Sequence, residues 1–185
     1  MGLMKATYTF FEHNLTENVP EIKSVDLFFN QFVTQELGET DARANPRVLI
    51  EVNEFNPIQH FGAVQMWEGT VTLHVGIDIV QSFASDSELK NNNLTYLDLF
   101  DTIYHKLQST SSFYLPEELR EEGFRIYNVE RSRVQFATNE NSIKVTEIEF
   151  RFIIEDNTAN LEVIPVEEGT VNNIECEVTV NGEIP

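Results

Sequence analysis

The stretch Thr70-Val71-Thr72-Leu73-His74-Val75-Gly76-Ile77-Asp78-Ile79-Val80 decides the fold class. Val71, Leu73, Val75, Ile77 and Ile79 recur at every second position, with Thr72, His74, Gly76 and Asp78 between them. Successive side chains of an extended strand point to opposite faces, so this period of two predicts a long strand with one apolar face. Such a strand needs partners, and the flanking sequence supplies them. Downstream, 124–137 and 143–154 read as long strands joined by Thr138-Asn139-Glu140-Asn141-Ser142, a polar turn of hairpin length. In the second of these, Ile143 and Val145 are odd-numbered, whereas Ile148, Phe150, Phe152 and Ile154 are even. One extra residue flips the side-chain faces, so a bulge near Thr146-Glu147 is expected. Upstream, Val48-Leu49-Ile50-Glu51-Val52 follows Pro46-Arg47 and suits an interior strand. Before it, 22–33 reads as extended, with Val25, Leu27 and Phe29 alternating against Ser24, Asp26 and Phe28.

Two segments carry the helical period instead. Met4, Tyr8, Phe11 and Leu15 share one face of a first helix, which Pro20 stops by forcing the preceding residue out of helical geometry. Over 93–108, Leu97, Phe100, Tyr104 and Leu107 share a face with Ile103 beside them, and Thr95 with Asp98 resembles a capping start. The order α-β-β-β-α-β-β predicts an α+β fold, a mostly antiparallel sheet flanked by two main helices.

The 185 residues suffice for one domain with a real core. Twelve bases against 31 acids give a net charge of −19, which repels phosphate and excludes a protein that grips nucleic acid. The lone Cys176 excludes an intrachain disulfide framework and a Cys-rich zinc site. No apolar run approaches the roughly 20 residues of a membrane helix, and Met1–Ala6 has no signal-peptide core. The expectation is a soluble protein with no membrane partner, in a compartment that imposes no disulfide chemistry.

The acidity is uneven. Residues 1–154 hold 23 acids and 12 bases, whereas 155–185 hold eight acids and no base. This shift divides the chain into a body, 1–156, and an acidic carboxy-terminal arm, 157–185. The arm reads as a β-hairpin, with strands over 161–166 and 173–180. Ile174, Cys176, Val178 and Val180 alternate there with Glu175, Glu177 and Thr179. An isolated hairpin is marginal in water, so this one either covers its own sheet edge or extends a neighbour's sheet. Ile174 and Val178 are therefore candidate interface residues.

The search for catalytic chemistry is negative. The sequence has no phosphate loop, dinucleotide fingerprint, HExxH helix or GxSxG elbow. His13, His60, His74 and His105 show no ligand spacing, and His74 reads as a solvent-facing or interface residue. Glu175 and Glu177 flank Cys176 and disfavour its thiolate. Asp78, Asp86 and Glu88 form the most compact acidic group, but their spacing matches no calcium loop, and the many acids read as a solvated face. No catalytic residue, metal or other cofactor is expected. The arginines are more informative. Arg120, Arg125, Arg131, Arg133 and Arg151 concentrate late in the body, and Arg131 and Arg133 stand two apart on a strand, hence on one face. Such a row pairs either with an acidic surface on another copy or with acids in its own sheet, which makes Arg125, Arg131 and Arg133 interface candidates. Phe61 and Trp67 flank Gly62. Core packing suits Phe61, and Trp67 is the candidate interface anchor. The sequons at Asn14 and Asn93 fall in helices and read as chance.

The ordered set of phrases resembles the tail terminator, or tail-completion, proteins of tailed bacteriophages. It comprises Val19-Pro20-Glu21-Ile22-Lys23-Ser24-Val25-Asp26-Leu27 followed by Gln31, then Pro46-Arg47-Val48-Leu49-Ile50-Glu51-Val52. The long strand with His74, the helix 97–107 and Glu147-Ile148-Glu149-Phe150-Arg151-Phe152 complete it. The resemblance spans about 1–155 and leaves the arm without a counterpart. It implies a non-enzymatic virion protein of the tail or neck, present in host cytoplasm during assembly. The subunit would form a homo-oligomeric ring, usually a hexamer, that caps the tail tube and joins it to the head–tail connector. Six copies would carry a formal charge of about −114, and an acidic lumen would let genomic DNA pass without sticking. Another neck or head–tail joining ring is an alternative. A small-molecule enzyme built from carboxylates with Arg131 and Arg133 is another, and it predicts ionisable groups converging in a cleft.

Overall fold

The computed structural model describes residues 1–29, 45–78, 87–108, 115–140 and 143–161. As far as Asp78 the alternating stretch belongs to the central strand, β3 (Val64–Asp78), of a five-stranded sheet, and Ile79 and Val80 lie outside the described residues. Before it come α1 (Leu3–Asn18), β1 (Ser24–Leu27) and β2 (Arg47–Phe61). After it come α2 (Ser87–Gln108), α3 (Glu117–Glu121), β4 (Phe124–Glu140), β5 (Ile143–Asp156) and α4 (Thr158–Leu161). The strands lie in the order β1-β2-β3-β5-β4. β1 runs parallel to β2, and every other pair is antiparallel. This is the expected α+β class. The expected hairpin of the arm lies outside the described residues, apart from Leu161, which closes α4.

One core joins the helices to one face of the sheet. Val71, Leu73, Val75 and Ile77 of β3 and Ile148, Phe150, Phe152 and Ile154 of β5 supply the sheet side. Phe10, Phe11 and Leu15 of α1, Leu99, Phe100, Ile103 and Leu107 of α2, and Leu119 of α3 cover them. Phe11 meets Phe152 edge-on at 5.5 Å between ring centres and Phe10 at 5.3 Å. Each such ring removed from water stabilises the fold by about 1.5–3 kcal/mol. In α1, Met4 is displaced from the expected apolar face and stands 63% exposed, because Ala6 and Phe10 turn the buried stripe by part of a turn. α2 starts at Ser87, so Thr95 is interior to the helix and does not cap it. Leu97 is correspondingly exposed and Leu99 buried.

The expected bulge at Thr146-Glu147 is absent. β5 pairs with β3 without a slip from Gln65 opposite Asp156 to Asp78 opposite Ile143. The odd and even apolar residues of β5 serve two faces: Ile143 and Val145 pack with Leu49 and Phe28 in a second, small cluster away from the helices. The irregularities lie in β4 instead, whose pairing with β5 slips between Tyr127 and Glu130, Arg131 and Arg133, and Phe136 and Asn139. β2 extends to Phe61, well past the expected run, and turns into β3 through Gly62-Ala63. Gly62 takes a φ of 61°, the left-handed region that a tight hairpin loop needs and glycine enters without strain.

Candidate interaction surface

A sheet with helices on one face leaves the other face to be explained. The residues there are fixed by register: Leu49 stands beside His74, and His74 beside Glu147. Glu51 stands beside Thr72, and Thr72 beside Glu149. The His74 Nε2 lies 2.8 Å from Glu51 Oε2, while Nδ1 is 3.7 Å from Glu147 Oε1, outside hydrogen-bond range. Phe28, just beyond β1, lies flat on the imidazole at 3.8 Å with an interplanar angle of 7°. Its backbone N–H donates to Ile50 O at 2.9 Å, which fixes the ring over the site. The His74 side chain is consequently only 8% exposed. An imidazole oriented by a carboxylate is the arrangement of a general base; here Phe28 covers one face of the ring and little of the side chain meets solvent. His74 was expected to face solvent or a partner. It lies on the expected face, and Phe28 buries it there.

The arginines fall on β4 as the bulges dictate, not as simple alternation does. Arg131 stands opposite Phe150 and Arg133 opposite Glu149, with a register slip between them. Phe150 belongs to the helix-side core and Glu149 to the open face, so the two arginines point to opposite sides of the sheet. The expected shared face is lost because the extra residue at Ser132 reverses the phase. The Ser132 hydroxyl donates instead to Glu149 Oε1 at 2.5 Å. Arg131 lays its guanidinium over the Tyr104 ring at 3.8 Å, on the helix side. Arg133 donates to Gln135 Oε1. Arg125 faces Glu155 across the ladder at 3.9 Å with its side chain 66% exposed. An exposed pair of that kind contributes at most about 1 kcal/mol. Arg120 bonds the Leu115 carbonyl at 3.0 Å.

Cavities open on two parts of the described surface that bear on these residues. One, of about 420 Å³, separates α2 from β4 and is lined by Leu97, Phe100 and Asp101 on one side and residues 131–134 on the other. The second, of about 390 Å³, lies between α1 and the β1–β2 edge, where Met4, Tyr8, Leu27, Phe28, Phe29 and Val52 line it. Burial raises the pKa of the Tyr8 hydroxyl, with Glu12 and Asp26 adding to the effect. Burial likewise raises that of Tyr127, with Glu155 adding and Arg125 opposing. The two aromatics flanking the β2–β3 turn exchange the expected roles. Phe61 is 57% exposed, whereas Trp67 is half-buried against the core with His60 edge-on at 6.3 Å. The turn leaves Phe61 beyond the reach of the helices, while Trp67 stands opposite the buried Ile154. Ile174 and Val178 lie outside the described residues.

Sequence reasoning passed over Phe28 and Tyr104 as functional neighbours, and no local signal marks either. Among the described residues, no group of three or more His, Cys, Asp or Glu side chains could hold a metal ion. No described helix is long and apolar enough to cross a membrane. Among known proteins, no family model matches the chain and no curated protein matches it.

Proposed function

We propose that this chain is the ring-forming subunit of a tailed-phage tail terminator, a structural protein that caps the tail tube and joins it to the head–tail connector. The observation that carries the reading is where the phrases of the resemblance fall. Val19–Leu27 runs from the end of α1 through β1, and Pro46–Val52 opens β2. The His74 strand is β3, 97–107 lies in α2, and Glu147–Phe152 lies in β5. Apart from Gln31, which lies outside the described residues, each phrase falls in the sheet, in a helix that covers it or in the connection between α1 and β1, which is the placement the reading requires. The sheet has two outer strands and one face without a core-forming helix among the described residues, which suits a subunit that completes itself against copies. In a ring, the excess of acids lines a bore through which DNA slides, and that repulsion weakens as salt rises. Against the enzyme alternative, Arg131 is held over Tyr104 and Arg133 bonds Gln135 on the other side of the strand, so the two guanidiniums do not converge within the groove they line.

The genetic test is to interrupt this reading frame in the phage genome that carries it and to image the lysate. The proposal predicts filled heads and separate tails that do not join, with joining restored when the purified protein is added. Normal virions from the interrupted genome would refute it.

A further inference from the structure

We infer that the outer edge of β4 receives segment 173–180 of a second copy of this chain as an added strand, with Cys176 opposite Val134. The inference rests on the ring reading, because it requires copies to meet. β4 is the last strand of the sheet, and among the described residues it pairs only with β5. Arg133–Phe136 is a regular stretch between two slips, so an added strand has a defined place to pair. Leu97 is 46% and Val134 37% exposed along the groove beside it, an apolar pair at a sheet edge among Asp101, Arg131, Ser132 and Arg133. The strand carries three arginines and two acids, a net of +1 in a chain of −19.

The segment is the complement of that edge. Ile174, Cys176, Val178 and Val180 alternate with Glu175, Glu177 and Thr179, and residues 162–185 hold six acids and no base. Directly opposed residues of neighbouring strands share a face. Setting Cys176 opposite Val134 puts the apolar row on the side of Leu97. It also puts a glutamate opposite Arg133 in either strand direction, Glu175 if parallel and Glu177 if antiparallel. The donor is a neighbouring copy because of how the chain leaves the sheet. The Asn157 N–H still bonds Gly123 O at 3.0 Å, but α4 then lies against β3, on the far side of β5 from β4. From there a strand on its own β4 would have to cross back over β5. The 11 residues of 162–172 span at most about 40 Å, so a copy packed against this edge lies within their reach.

Cys176 is the only cysteine, so Val134→Cys in the full chain installs the one possible partner for it. Under mild oxidation, the inference predicts covalent species larger than dimers on non-reducing gels, since each copy is linked on both sides. The wild-type chain stops at dimers, and Val134→Cys combined with Cys176→Ser likewise stops at dimers. Assemblies of wild-type mass that yield no covalent species beyond dimers would overturn the inference and leave the ring standing. A disulfide formed only within single chains would overturn the choice of donor. A wild-type chain that stays monomeric would defeat the ring reading and the inference with it. Independently, Arg133→Glu should weaken association by at least about tenfold at low salt, and adding Glu175→Arg with Glu177→Arg should restore it. Unchanged association of Arg133→Glu would overturn the charge pairing.

Discussion

Gly69 is a position where one methyl group should be costly. It lies in β3, buried, opposite Phe152 of β5. A Cβ built there would stand 2.4 and 2.7 Å from two atoms of the Phe152 ring. Those distances are far inside van der Waals contact, so the ring must move. It is 1% exposed, held edge-on by Phe11 at 5.5 Å and by Phe55 at 6.3 Å, and it has no free space to enter. Overpacking of this kind costs about 1–3 kcal/mol. A glycine without such a neighbour would respond oppositely, gaining about 0.5–1 kcal/mol on becoming alanine in a strand. Gly69→Ala is therefore predicted to destabilise by about 2 kcal/mol and to lower Tm by about 4–8 °C for a chain of this size. The assay is urea unfolding at fixed protein concentration, which holds any assembly contribution constant. Phe152→Leu removes the far end of the ring, so Gly69→Ala should cost less in that background, a coupling that a double-mutant cycle measures. A neutral or stabilising Gly69→Ala, or additive costs for the two changes, would refute the packing argument.

Three further outcomes follow from particular contacts. Phe28→Ala should cost about 1–2 kcal/mol, less than for a fully buried ring, and should make His74 react faster with diethylpyrocarbonate; an unchanged rate would mean that Phe28 does not shield it. Arg131→Ala should cost about 0.5–1 kcal/mol through the lost contact with Tyr104, and in a Tyr104→Leu background it should cost nothing further by urea unfolding. With a free, unextended amino terminus, the Met1 ammonium donates to Glu122 Oε2 at 2.7 Å, and this bond, with the attraction of that charge, lowers the Glu122 pKa. A lowered folded-state pKa gives stability that is present above the ordinary value of 4.5 and is lost as pH falls through the folded value. The stability difference between wild type and Glu122→Gln should therefore shrink in urea titrations carried from pH 7 down to pH 3, and a difference that persists would contradict the pairing.

Where the pattern of the sequence and the physics of the site agreed, the fold was legible. β3 could be read because one of its faces meets the helices along nearly its whole length, so alternation survives. β2 could be read only to Val52. Beyond it, Asn53, Glu54, Asn56, Gln59 and His60 are exposed and only Phe55 packs inward, while register shifts between Val52 and Glu54 and between Pro57 and Gln59 break the alternation. The odd residues of β5 looked like a bulge because a second apolar cluster on the open face mimics a phase change. The true bulge at Ser132 left no trace in composition, so the arginine row was read as one-sided. Phe28 and His74 meet through β1–β2–β3 pairing between residues 46 positions apart, and only the folded sheet brings them together.

The central claim is that this acidic chain closes into a ring, and its mass in solution tests that most directly. Light scattering of the purified protein, with negative-stain images of the same fraction, should give a hexamer of about 128 kDa with a central opening. A single species of 21.3 kDa at every concentration, with no rings in the images, would contradict the account.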